Sequence, residues 1–204
     1  MATLVLDSYV EERLLEQRRA SGGDRFDEVW DGVYVMSPLA NNEHQLIATQ
    51  LSGILQIALN FGERGLVFAG VNVTDRQEDW KQNYRCPDVA VFLNGTSAVN
   101  RESHWFGGPD FAVEVASKGD RAREKLGFYA AVSTREVLVI DRDPWGLELY
   151  RLAGGRLERV GTSRPGEPAA LASEVVPLAF RLGEAEPRPV IEVVRAEGGE
   201  SWRI

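Results

Sequence analysis

The chain has 204 residues, 31 of them acidic and 23 basic, for a formal charge of -8. Hydrophobic residues make up 44% and charged residues 26%, which excludes a disordered or fibrous chain and allows one domain with a proper core. The acidic excess disfavours tight, nonspecific binding to duplex nucleic acid, which draws on neutralising phosphates.

Ser8 to Arg19 reads as a short amphipathic helix anchored by Tyr9, Leu14 and Leu15. Phe26 to Met36 reads as a hairpin, because Asp31-Gly32 is a two-residue turn signal between β-prone runs. Asn41 or Asn42 caps the next helix, whose Leu46, Ile47, Leu51, Ile54, Leu55, Ala58 and Leu59 recur at helical spacing to about Phe61. A strand over Gly65 to Val73 and an exposed polar loop over Asp75 to Arg85 follow. The runs DVAVFL from Asp88 and DFAVEVAS from Asp110 predict two buried strands, joined by a loop from Asn94 to Pro109. Asp120 to Val132 predicts a helix with Asp120 as its cap, and Arg135 to Ile140 a strand. Leu147 to Leu152 and Arg156 to Val160 predict a hairpin turning at Gly154-Gly155. Beyond Gly161 the density of Pro and Gly rises and no element is assigned.

This order predicts a mixed α/β (α+β) domain rather than a regular βαβ repeat. One domain over 1–204 is expected, with a core of about 24–160 and a C-terminal extension over 161–204. No glycine-rich phosphate loop is present, which argues against the common nucleotide-binding enzymes. The single cysteine, Cys86, leaves no internal disulfide or cysteine zinc site, and His44 and His104 are too few for a His-rich metal site. No run approaches the roughly 18 apolar residues of a membrane helix. The opening MATLVLDSYVEER turns acidic too soon for a signal or transit peptide, so a cytoplasmic protein with no membrane partner is expected.

Three charges break the apolar pattern. Strand alternation places Glu114 on one face with Ala112 and Ala116, opposite Phe111, Val113 and Val115. A carboxylate in the middle of a buried strand is costly unless paired or bound to a metal. The same alternation sets Asp88 with Ala90, opposite Val89 and Val91, so two carboxylates on small-residue faces are placed to share one cation. Lys125 lies within the stripe of Ala122, Leu126 and Tyr129, where its ammonium either snorkels to water or meets an acid. Each has a plainer structural reading. Glu114 fits a solvent-facing side of an antiparallel sheet, Asp88 fits the start of a strand after Pro87, and Lys125 fits a snorkelling surface lysine.

The ordered set Pro87-Asp88, Glu114 and a following lysine resembles the PD-(D/E)XK nuclease superfamily. More closely, the chain is similar to the Uma-type "putative restriction endonuclease" family. DEVWDGVYVMSP (Asp27 to Pro38), His44, RCPDVAVF (Arg85 to Phe92), GPDFAVEVAS (Gly108 to Ser117), Asp120, Lys125, Tyr129 and a strand ending in Asp141 carry the resemblance. It implies a restriction-endonuclease-like core, a central mixed β-sheet flanked by helices. It further implies Mg²⁺ as cofactor, with Mn²⁺ able to substitute, held by Asp88, Glu114 and the Val115 backbone carbonyl. Lys125 would orient or help deprotonate the attacking water, because Ala116 stands where the superfamily usually has its lysine. Glu28 and His44 match further positions and are auxiliary candidates, against a solvent-facing hairpin residue and a capping or packing histidine. Lys118 is read as a loop lysine at a position where the family usually has proline. Ser133-Thr134 and Val137-Leu138 also depart from the family's Gly-Val and aromatic pattern, at a loop and in packing.

The expected function is Mg²⁺-dependent hydrolysis of phosphodiester bonds by a DNA endonuclease, acting as a homodimer because cutting both strands calls for two sites. The alternative is a nuclease-fold binding or assembly module without hydrolytic activity, which the acidic balance favours. A third reading is an acidic protein holding metal for structure alone, although such sites usually gather more carboxylates in one loop.

Overall fold

The computed structural model describes residues 8–37, 40–117, 119–196 and 198–204. Lys118 and Pro38 therefore lie outside the described residues. The first helix, α1 (Ser8–Ser21), precedes a hairpin of β1 (Glu28–Trp30) and β2 (Val33–Val35), whose turn residues Asp31 and Gly32 both have positive φ. The second helix, α2 (Asn42–Ala58), is capped by Asn41, whose side chain accepts the His44 N–H. There follow β3 (Gly65–Phe68), β4 (Val73–Thr74), β5 (Tyr84–Arg85), β6 (Val89–Leu93), β7 (Val99–Asn100), β8 (Trp105–Phe106) and β9 (Phe111–Ala116). A 3-10 turn (Ala122–Lys125) runs into α3 (Leu126–Ala131). The chain then forms β10 (Glu136–Arg142), β11 (Trp145–Ala153), β12 (Arg156–Ser163), β13 (Leu171–Ala172), β14 (Leu178–Gly183), β15 (Val190–Arg195) and β16 (Ser201–Arg203).

Among the described residues three sheets result, ordered β12-β11-β10-β9-β6-β3, β2-β1-β5-β4-β8-β7 and β13-β14-β15-β16. The first is the centre of the molecule. Its β9 and β10 pair in parallel, and the other pairs are antiparallel. Parallel neighbours need a crossover, and here the 3-10 turn and α3 supply it. One face of this sheet, with Val89, Val91, Phe111, Val113, Val115, Leu138 and Ile140, packs on α2 and on the C-terminal sheet. The other face, with Ala90, Phe92, Ala112, Ala116, Val137 and Val139, packs on α3 and Trp105. Glu114 belongs to this second face by alternation, so the crossover helix lies over it.

Several elements differ from the sequence reading. The strand from Gly65 stops at Phe68, and the chain passes to the second sheet at Val73; Gly70 between them has φ 69°, with the Phe26 ring where a Cβ would stand. The segments 75–85 and 94–109 contribute β5, β7 and β8, two-residue strands too short to show alternation. Asp120 does not cap a helix: the segment begins as the 3-10 turn after Arg121, and Asp120 accepts the Ser117 N–H over 3.4 Å. Tyr9 does not anchor α1, since it is 65% exposed. Instead, Arg18 clasps the buried Asp27 and the Ser37 carbonyl, joining α1 to the hairpin. The tail forms β14, β15 and β16, and its Phe180, Leu182, Ile191 and Val193 enter the same core as α2. Among the described residues no helix is long and apolar enough to cross a membrane.

Gly108 locks the crossover to the sheet. Its N–H donates to the Val132 carbonyl at 2.7 Å, and a Cβ there would stand 2.3 Å from Thr134 Oγ1 and 2.7 Å from that carbonyl. Gly108→Ala should therefore destabilise the fold by roughly 1–3 kcal/mol through overpacking, read as a lower urea midpoint.

Candidate active site

Glu28, Glu114 and Lys125 meet between the first two sheets. Glu114 rises from the middle of β9, and Lys125 descends from the end of the 3-10 turn. Lys125 Nζ lies 2.8 Å from Glu114 Oε2 and 2.9 Å from Glu28 Oε1. Side-chain exposure is 12% for Lys125, 5% for Glu114 and 2% for Glu28, so the ammonium is directed at acids and not at bulk water. Glu28 comes from β1, which reaches the site by pairing with β5. Its Oε1 also accepts the Cys86 N–H at 2.8 Å and its Oε2 the Trp30 indole N–H at 2.6 Å.

Asp88 stands at the mouth of β6, one residue before the ladder begins. Its Oδ2 accepts the Val115 N–H at 2.7 Å, and its Oδ1 lies 2.7 Å from His44 Nε2, which as donor completes the contact. His44 is in the first turn of α2. Glu28, His44, Asp88, Glu114, Val115 and Lys125 thus lie at one end of the central sheet in two groups, Glu28–Lys125–Glu114 and His44–Asp88–Val115.

Sequence reasoning missed four contributors. The Tyr129 hydroxyl donates to Glu114 Oε1, from a position that reads as part of an apolar stripe. The Arg85 guanidinium lies between the Trp30 ring (4.6 Å) and the Phe128 ring (4.4 Å), bracing the wall behind Glu28. Arg121 covers Trp30 at 4.2 Å. The Cys86 backbone N–H, not its thiol, serves the site; burial pushes that thiol up to about 12, so it stays protonated. Only the Tyr129 spacing, four residues after Lys125 on one helical face, carries a signal in the sequence.

Two carboxylates, Glu28 and Glu114, pair with one lysine ammonium, and the Asp88 charge acts on it from nearby, which leaves surplus negative charge in a buried place. Burial pushes the Glu114 carboxyl up to about 8, against the pull of Lys125 and with the push of Asp88 and Glu28. Burial alone would lower Lys125, but Glu114, Glu28 and Asp88 outweigh it and hold the ammonium well above the usual lysine range. Burial and the Glu114 and Glu28 carboxylates likewise hold the Tyr129 phenol well above its usual range. Both it and Lys125 are donors at physiological pH.

Among the described residues no three His, Cys, Asp or Glu side chains are grouped as a metal site. The available donor set is two carboxylates and a backbone oxygen. The Val115 N–H faces Asp88, and its carbonyl leaves the strand on the same edge. That edge lies beyond the last pair of the β6–β9 ladder, Val89 with Val113. The next position on the β6 side is Pro87, which has no N–H to offer. Hard oxygen donors with surplus negative charge suit a divalent ion such as Mg²⁺.

The site thus sits at one end of a mixed sheet with a parallel central pair, covered by helices and carrying acids and a lysine. The chain belongs to the Uma2 family, described as "Putative restriction endonuclease", whose model matches residues 12–195. It is similar in fold to a crystal structure described as "a putative nuclease belonging to DUF820 from Anabaena variabilis ATCC 29413", with a TM-score of 0.57. Sequence identity is 17%, over 72% of this chain and 80% of that one. No curated protein matches the sequence.

Proposed function

We propose that this member of a nuclease family is a divalent-metal-dependent DNA endonuclease, with Asp88, Glu114 and Lys125 as its catalytic residues. The observation that carries the reading is the buried Glu28–Lys125–Glu114 bridge beside Asp88, a costly arrangement for stability alone. Asp88, Glu114 and the Val115 carbonyl would hold Mg²⁺ or Mn²⁺. When bound, the ion lowers the pKa of a coordinated water and offsets charge on the scissile phosphate.

The chain's own groups do the rest. Tyr129 and Lys125 fix the two oxygens of Glu114, and Val115 and His44 fix those of Asp88. Preset ligands avoid reorganisation during the reaction. Lys125, held charged by its acids, orients the attacking water through an N–H. Glu28 is the auxiliary acid that shares Lys125 with Glu114 and anchors its ammonium. His44 is the auxiliary residue that sets the Asp88 carboxylate. Cleavage of both strands of a duplex would use two copies of the chain.

The runner-up is a nuclease-fold module without hydrolysis, favoured by the net charge of -8. Incubating supercoiled plasmid and single-stranded DNA with the protein separates the two. The endonuclease reading expects nicking or cleavage with Mg²⁺ or Mn²⁺ and none with chelator. Intact substrates under every metal condition would favour the binding module.

A further inference from the structure

We propose that Arg142, assisted by Arg188 of the loop before β15, is a positioning residue that holds the first turn of α2 so that His44 stays on Asp88. The inference rests on the reading of Asp88 as a site residue. Arg142 ends β10 and is nearly enclosed, with 8% of its side chain exposed. Its guanidinium reaches three residues at once. Nη2 donates to Ser117 Oγ just past β9, and Nη1 donates to Asn41 Oδ1 at 2.8 Å and to Glu43 Oε2 at 3.1 Å. Asn41 Oδ1 is the same atom that accepts the His44 N–H, at 2.9 Å.

These contacts close a ring around Asp88. Its Oδ2 is tied to β9 directly, through the Val115 N–H. Its Oδ1 is tied to β9 indirectly, through His44, Asn41, Arg142 and Ser117. Both oxygens of the carboxylate are thereby referred to the strand that carries Glu114. An Asn cap alone orders only the end of its helix; Arg142 ties that cap to the sheet. The Arg142 Nε is buried without a partner, so the side chain is held by its two terminal nitrogens.

Arg188 extends the grip from the other side. Its Nε lies 3.0 Å from Glu43 Oε1, the oxygen that Arg142 leaves free. Arg188 is itself seated by the Pro189 carbonyl at 2.8 Å and by the Trp145 ring at 5.3 Å. The C-terminal extension thus reaches the site through one ion pair on the residue before His44.

With two histidines in the chain, imidazole ¹H–¹⁵N spectra of the full-length protein at one fixed pH read this geometry without any activity. Asp88→Asn assigns His44 and marks where its ring signals move when the contact changes. Arg142→Gln and Arg142→Lys should both shift the His44 signals toward that position, because lysine lacks the planar fork that spans three acceptors. Arg188→Gln should shift them less and in the same direction, with His104 unmoved throughout. An unmoved His44 in folded Arg142→Gln would overturn the proposal, as would wild-type signals in Arg142→Lys. If Arg142→Gln does not fold, Ser117→Ala opens the ring and Glu43→Gln loosens the grip of both arginines on the first turn of α2, and an unmoved His44 in both would overturn it equally. Absence of DNA cleavage by the wild type would leave these outcomes unaffected.

Discussion

Replacing Lys125 with methionine is expected to cost about 3–5 kcal/mol of stability, the range for removing one partner of a buried ion pair. Methionine keeps most of the apolar stem, so the loss reports the ammonium. Two carboxylates, 2% and 5% exposed, are then left facing each other without a cation. The sign of the pH dependence follows from Glu114. Its carboxyl is pushed up to about 8 by burial, so its contribution to stability is present below the ordinary carboxylate value and is lost as pH rises through about 8. Without Lys125 to oppose burial, that carboxyl is driven higher, and the variant gains most from protonation. Urea unfolding should find the deficit large at about pH 9 and smaller at about pH 5. An equal deficit at both values would mean that Lys125 acts by packing alone.

Asp88→Ala is expected to abolish metal-dependent plasmid cleavage, by on the order of a hundredfold or more. A metal ligand supports several kcal/mol of transition-state charge stabilisation, and each 1.36 kcal/mol is tenfold in rate. Asp88 precedes β6 and its side chain is 23% exposed, so water can reach the Val115 N–H and His44 once the carboxylate is gone, and the variant should still fold. Cleavage that persists in the variant would place the activity elsewhere. The combination of retained fold and lost cleavage separates this role from that of Lys125, whose removal weakens both.

Much of the site was legible because strand alternation is a strict rule. Phe111, Val113 and Val115 face one core cluster and Ala112 and Ala116 the other, as the period of two requires, so Glu114 had to face the crossover helix. Helical spacing put Lys125 on the buried stripe of that helix in the same way. What hid in the sequence depends on contacts between distant segments. Tyr129 reads as an apolar anchor until its hydroxyl finds Glu114. Arg85 reads as a loop charge until two aromatic rings enclose it. Arg142 joins residues about a hundred positions apart, and no periodicity records such a pairing. The tail was obscured differently: Leu178 to Gly183 alternate buried and half-buried as a strand should, but the flanking Pro and Gly residues mask them.

The most direct measurement is calorimetric titration of Mg²⁺ or Mn²⁺ into the wild type and into Glu114→Gln, in two buffers of different ionisation heat. Burial holds the Glu114 carboxyl above the ordinary carboxylate range, and a metal ligand must give up its proton. Binding should therefore be accompanied by proton release and tighten as pH rises, and weaken strongly in Glu114→Gln. Binding of equal strength in the two proteins, with no buffer dependence, would contradict a cation held by Asp88 and Glu114.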